Sequence, residues 1–430
     1  MSEKLENLSN GVEGIFIRNM RFNTTLISFN FYLPMNEKTA ADNALLPFIL
    51  TTCCKKYPDF SRLNYKLNKL YGAELSAAAE KVGDLQLLKM SISVINDSYT
   101  LDGEPLCETA CELLTDMIFE PMTENGEFCS EDVEREKRKA IEHIRGELSE
   151  KRTFARMRMI EEMYRGKAYG VPKCGTQEGV SAVTGKSLFA AWENMLKSAF
   201  VRVNVVSRTM PNGLFNGISK RFSEIERGNI TDVKRCEPTL PAQSVNRVTD
   251  YMDVAQGKLV MGFSCRDCGP DDDSVPLLVM CDMFGGGAYS RLFTNVREKM
   301  SLCYYCAASA VRTKGLITVD SGVEAENADK TERAVTEQLD IIKRGEYNDF
   351  EFEASKKNII DSMKSYDDSQ TTLDNWYALK IANRGLLSPQ DVAEAVARVD
   401  REAVTKAAGG VELHTVYRLL PKVSEGDEKQ

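Results

Sequence analysis

The sequence predicts an α+β protein built from two copies of one unit, and three observations carry that prediction. Strict alternation, as in Ile27, Phe29, Phe31 and Leu33 against Ser28, Asn30 and Tyr32, is the pattern of a half-buried strand. Longer stretches with apolar residues at helical spacing separate such runs. The order β-α-α-β-β-α-α-β then occurs twice, which argues for an internal duplication. At 430 residues the chain exceeds one ordinary core and suits two domains of about 200 residues each.

Taken in order, residues 14–34 read as a β-hairpin. Helices follow over about 38–54 and 62–71, the second closed by Gly72. Two strands come next, and in the second Leu88, Met90, Ile92 and Val94 alternate with Lys89, Ser91 and Ser93. Helical patterns cover 105–119, a long charged run at 130–164, and 180–198, before a strand from Val201 to Val206. The second half opens with a strand, Lys258 to Phe263, and helices near 274–284 and 289–300. Strands at 302–311 and 315–323, helices at 327–344, 350–385 and 400–407, and a strand from Val411 to Leu419 complete it. Residues 224–248 lack periodicity, carry two prolines and read as a linker between domains 1–223 and 249–430.

Composition narrows the function classes. A hydrophobic content of 43% with 28% charged residues is that of a soluble globular protein. A net charge of -9 argues against nucleic-acid binding, since only local patches offset phosphate repulsion. The start MSEKLENLSNGVEG is polar, with no apolar core of signal-peptide type, and no run approaches the roughly 18 apolar residues of a membrane span. The expected location is cytoplasmic, without a membrane partner. There the twelve cysteines are expected to be reduced. Two CxxC pairs, Cys265/Cys268 and Cys303/Cys306, could imitate a four-cysteine zinc site. Their separation exceeds a zinc-ribbon loop, and alternation along LCYYCAASA sends Cys303 and Cys306 to opposite faces, so such a site is disfavoured.

The most informative stretch is FGGGAYSRLFTNVREKMSLCYY, from Phe284 to Tyr305. Gly285, Gly286 and Gly287 precede an amphipathic helix, but no Gly-Lys-Ser/Thr follows, so a phosphate loop is a poor reading. Arg297 and Tyr304 are a fixed cation and a phenol that could hold a peptide carbonyl and its developing charge. The plainer reading has Arg297 capping a helix C-terminus and Tyr304 packing.

This stretch resembles the C-terminal-half signature of the insulinase/pitrilysin metallopeptidases, the family that includes the mitochondrial processing peptidases. FARMRMIEEMYRGKAYGVPKCGTQEGVSAVTGKSLFAAWENM and QGKLVMGF resemble further family segments, so the likeness covers most of the chain. It implies paired α+β domains enclosing a cleft, and substrate contacts through Arg297 and Tyr304, with Gly285, Gly286 and Gly287 beside them. It also demands a zinc motif, His-x-x-Glu-His, on the helix at 38–54. That helix reads ALLPFILTTCC, without a His, Asp or Glu. By the resemblance the three motif positions fall on Leu46, Ile49 and Leu50, or on Pro47, Leu50 and Thr51. The supporting Glu corresponds to Glu136 and the further ligand to His143 or Glu142.

Only two histidines exist, His143 and His414, so a two-His motif cannot be built. A Ser-His-Asp or Cys-His site meets the same shortage, and no Gly-x-Ser-x-Gly elbow occurs. No catalytic residue and no metal or cofactor is assigned to this chain alone. The expectation is a catalytically incomplete subunit that gives Arg297 and Tyr304 to peptide substrates. Zinc would reside on a homologous partner in a heterodimer, a homodimer being the other arrangement. The alternative is a non-hydrolytic peptide-binding scaffold, since the chain is also similar to bacterial zinc-motif-lacking members associated with elongation factor P modification.

Overall fold

A computed structural model describes residues 2–234, 236–266, 275–381 and 388–422. In chain order the first half contains β1 (Ser2–Ser9), β2 (Val12–Arg18), β3 (Thr24–Pro34), α1 (Ala40–Leu50), α2 (Phe60–Lys69), β4 (Glu74–Val82) and β5 (Leu85–Ile95). There follow α3 (Leu106–Phe119), the small hairpin β6 (Thr123–Glu124) and β7 (Glu127–Phe128), α4 (Ser130–Ser149) and α5 (Lys151–Met163). Then come α6 (Gln177–Ala182), α7 (Gly185–Ser198), β8 (Phe200–Ser207) and α8 (Leu214–Ser223). The second half has β9 (Asn246–Met252), β10 (Gly257–Cys265), α9 (Val275–Gly285), a π-helix at Leu292–Lys299, β11 (Cys303–Val311) and β12 (Leu316–Val323). It ends with α10 (Ala328–Lys343), α11 (Asp349–Ser365), α12 (Gln370–Leu379), α13 (Pro389–Arg398), α14 (Arg401–Gly409) and β13 (Val411–Pro421).

The duplication is explicit in the sheets. The first has the order β1-β2-β8-β3-β5-β4 and the second β11-β12-β10-β13-β9. Read from the β4 and β11 edges, the two share one topology, with β1 as an extra strand. In each, the first strand of the repeat lies parallel to the last, β2 to β8 and β9 to β13, and the other pairs are antiparallel. This corrects the hairpin read at 14–34. β2 and β3 are not partners, because β8, from the far end of the repeat, pairs with both. Alternation identifies strands but carries no information on which strand inserts between them.

The chain forms two units that are not contiguous in sequence. The first comprises Met1–Arg145, Val171–Arg235 and Tyr366–Ile381, and the second Gly146–Gly170, Cys236–Ser365 and Ala382–Gln430. Each half therefore gives one helix to the other's sheet: α5 belongs to the second unit and α12 to the first. The helices read as continuous over 130–164 and 350–385 break where this exchange occurs. At the first break Glu150 N-caps α5, its carboxylate accepting from Arg152 N and Thr153 N. At the second, Ser369 caps α12, its Oγ accepting from Thr372 N.

The exchange explains the burial of β3, which is covered on both faces. Ile27, Phe29, Phe31 and Leu33 enter the apolar core with α1 and α3. Ser28, Asn30 and Tyr32, on the face that alternation assigns to solvent, are fully buried. They lie beneath α12, to which Ser28 Oγ donates at Asp374 and Tyr32 OH at the carbonyl of Ala378.

Candidate functional site

Two places bear on function, one in each unit. In the first unit a pocket of about 390 Å³ opens between α1, the middle of β4 and α4. Its floor is apolar, formed by Ala44, Leu45 and Phe48 from α1 and by Ala77, Ala78 and Ala79 from β4. Glu136, Lys139 and His143 contribute from α4, with Cys174 from the segment before α6. β4 is the outer strand of its sheet. Its run of three alanines leaves the main chain bare of bulky side chains beside the pocket.

The residues present do not fit a zinc ion. Two ligands four apart on α1 would have to face the pocket, and those positions hold Ala44 and Phe48. Of the two expected sets, Leu46, Ile49 and Leu50 lie in the core, and in the other Pro47 and Leu50 are buried while Thr51 Oγ1 donates to the carbonyl of Pro47. The pocket-facing register is thus two or three residues earlier, a shift the sequence could not fix because no donor side chain marks it. Glu136 is 4% exposed and its carboxylate accepts from Arg135 Nε at 3.1 Å and Lys139 Nζ at 2.9 Å, so adjacent cations already occupy it. Among the described residues no three of His, Cys, Asp and Glu stand where they could hold a metal.

In the second unit, Gly285, Gly286 and Gly287 close α9. Each is hemmed in by protein: a Cβ would stand 2.5 Å from Ala308 N at Gly285, 2.4 Å from Asp282 Oδ2 at Gly286, and 2.7 Å from the Tyr289 ring at Gly287. The stretch read as an α-helix becomes π-helical over Leu292–Lys299, with Met300 N donating to Asn295 O. Arg297 lies in its last turn. Its guanidinium sits 4.5 Å from the Phe293 ring centroid and 3.5 Å from Glu298, and its side chain is 38% exposed.

Tyr304 lies at the start of β11 and is 58% exposed. Its hydroxyl donates to Glu324 Oε1 at 2.5 Å, and that carboxylate pushes the phenol's pKa above its ordinary value. Arg297 and Tyr304 are near one end of β11, since the Arg297 charge is felt at Cys303, the residue before Tyr304. Sequence reasoning missed Glu324, which nothing in its own neighbourhood marks.

The reading of Cys303 and Cys306 on opposite faces is overturned. Cys303 pairs with Val323 and Cys306 with Ser321, and the register slips by one residue in between. Val323 and Ser321 are two apart on β12 and share a face, so the cysteines opposite them do too. Alternation fails here because Tyr304 is an extra, bulged residue. Cys268, of the other pair, lies outside the described residues.

The Peptidase M16 inactive domain matches residues 182–359. Over 425 residues, 98% of each chain, the sequence is 28% identical to the probable inactive metalloprotease YmfF of Bacillus subtilis. It is 24% identical over 257 residues, 59% of this chain and 60% of the other, to the uncharacterized zinc protease YmxG of the same organism. Among solved structures, a conserved protein from Enterococcus faecalis V583 superposes with a TM-score of 0.90 at 23% identity, covering 98% of this chain and 99% of that one. A peptidase M16 inactive domain from Pseudomonas fluorescens gives 0.78 at 16% identity, covering 99% of each. No helix among the described residues is long and apolar enough to cross a membrane.

Proposed function

We propose that this chain, a relative of the insulinase-type M16 metallopeptidases whose own zinc site is missing, is the zinc-free subunit of a two-chain peptidase. The observation that carries the reading is a contrast. Ala44 and Phe48 stand where zinc ligands would have to face the first unit's pocket, while Arg297 and Tyr304 remain exposed in the second unit. A homologous partner with an intact His-x-x-Glu-His would bind the zinc that activates water. This chain's part is to position the peptide.

Arg297 is held only loosely, 3.5 Å from Glu298, which leaves guanidinium N–H groups to donate to a substrate carbonyl. Tyr304 already donates its proton to Glu324. Its oxygen therefore presents lone pairs outward, suited to a peptide N–H, unless the proton is redirected from Glu324 to a carbonyl. The test is the purified complex with Arg297→Ala. Peptide hydrolysis should be lost while assembly and melting temperature are unchanged; full activity with assembly intact overturns the role.

One observation favours a second reading, a non-hydrolytic peptide-binding protein. The outer strand β4, lined with Ala77, Ala78 and Ala79, offers unpaired main-chain groups to an extended peptide, with the apolar pocket beside it for one side chain. Native mass spectrometry of protein isolated from its own cells separates the two. A stoichiometric zinc-bearing homologue supports the first reading, and a metal-free monomer or homodimer supports the second.

A further inference from the structure

Cys303 and Cys306 stand on one face of β11 at the base of the Tyr304 bulge, outside everything assigned so far. Both are free and nearly buried, Cys303 at 9% exposure and Cys306 at 5%. Their partners on β12, Val323 and Ser321, are two residues apart, about 6.8 Å along an antiparallel strand. A disulfide spans Cα separations of about 4.4 to 6.8 Å, a range that tightening of the bulge between the two cysteines would reach. A modest tightening of the bulge therefore closes the bond.

The two thiols are not equivalent. Cys303 is held below the ordinary thiol range by the hydrogen bond from Cys306 and by the Arg297 charge, against the opposing effect of burial. Cys306, as the donor and the more enclosed, is pushed well up. With the Arg297 charge acting on Cys303, that thiol is the one suited to attack and Cys306 the one suited to resolve.

We infer that Cys303 and Cys306 are a peroxide-oxidised dithiol, which closes to an intrastrand disulfide beneath Tyr304. The Cys303 thiolate attacks one oxygen of hydrogen peroxide. The O–O bond breaks, hydroxide leaves and takes up a proton as water, and Cys303 becomes a sulfenic acid. The Cys306 sulfur then attacks the Cys303 sulfur. The S–O bond breaks and the hydroxide leaves as water with the Cys306 proton. Two thiols and one peroxide become one disulfide and two waters. Closure draws in the bulge that presents Tyr304 and removes the thiolate beside Arg297, so it acts on the two residues proposed to position substrate. The chemistry does not depend on that proposal.

The experiment uses the whole chain. Hydrogen peroxide is titrated in, remaining thiols are alkylated, and the tryptic peptide Met300–Arg312 is weighed; it carries Cys303 and Cys306 and no other cysteine. Cys281 and Cys111, buried with thiols pushed up to about 12, are inert references within the same molecule. The expected result is a Met300–Arg312 peptide lighter by two hydrogens, formed roughly tenfold faster than either reference is modified and reversed by dithiothreitol. Cys306→Ser should stop at a dimedone-reactive Cys303, and Arg297→Gln should slow the reaction several-fold. A peptide that stays doubly alkylated while the references oxidise overturns the inference, as does a Cys303→Ser protein whose Cys306 is oxidised as fast as before.

Discussion

The two exchanged helices dock in opposite ways. In the first unit α12 meets β3 and β8 with buried polar groups at its centre, while Ala378 joins Tyr32 in an apolar cluster at its C-terminal end. Asp374, fully buried, forms an ion pair with Lys89 and accepts from Ser28 Oγ and Asn204 Nδ2 at 2.7 Å each. Lys89 Nζ also donates to Asn375 Oδ1 at 2.5 Å, and Gln370 Nε2 reaches the carbonyl of Val206 at 2.7 Å. In the second unit α5 meets β10 and β13 through Ala155, Met159 and Met163, packed on Val260, Tyr417 and Leu419. Arg152, near the N-terminal end of α5, donates to Asp320 at 2.5 Å.

The difference bears on how a duplicated chain avoids docking its helices on the wrong sheets. The two sheets share a topology, so each could receive either helix. Were α12 to lie on β10 and β13, Asp374 would be buried against Val260 and Leu419 without a cation, which costs several kcal/mol. Were α5 to lie on β3 and β8, Met159 and Met163 would cover Ser28 and Asn204 and leave their polar atoms unpaired. One polar seam and one apolar seam make each wrong pairing unfavourable.

The most damaging change should be Asp374→Ala, which leaves the Lys89 ammonium buried without a counter-ion. A loss of about 3–5 kcal/mol is expected from urea unfolding. Pairing Asp374→Leu with Lys89→Met should restore much of it, because no charge is then stranded. A loss below about 1 kcal/mol for the single variant would show that the seam is not held by charge.

The apolar seam should break by volume instead. At Gly262 on β10 a Cβ would stand 2.7 Å from the sulfurs of both Met159 and Met163. Gly262→Val should cost about 1–3 kcal/mol, less than the charge variant because methionine side chains can shift. A double-mutant cycle with Met159→Ala should show strong coupling, and additive losses would place the strain elsewhere.

Much of this was legible in the sequence, and the parts that were not share a cause. Alternation at Ile27–Leu33 and Leu88–Val94 marks strands because one face must meet a core. The same alternation cannot say what lies on the other face, so Ser28 and Asn30 read as solvated. Helical spacing in α5 and α12 reveals an apolar or mixed face but not the sheet it meets, which is a long-range choice. The missing zinc donors are plain from residue counts, yet their register is not, since Ala44 and Phe48 look like any core pair. The Tyr304 bulge reverses the facing of Cys303 and Cys306, and no local residue announces it.

The smallest expected effect separates the seams by pH. His414 on β13 belongs to the second unit, and its pKa is held below the ordinary imidazole value by burial and then by Lys167 of the exchanged segment. The neutral ring is thus favoured in the folded state. The unfolded chain takes up a proton first, as pH falls past about 6.5. This contribution is therefore complete above that pH and is lost as pH falls toward and through the folded value. The other histidine, His143, lines the first unit's pocket rather than either seam. Two imidazole signals are expected in a proton NMR titration, assigned with His143→Gln. The His414 signal should move at lower pH than a free imidazole, and Lys167→Gln should bring it back upward. Titration of His414 at or above the free value would remove acid sensitivity from the apolar seam, leaving packing volume as its only distinguishing response.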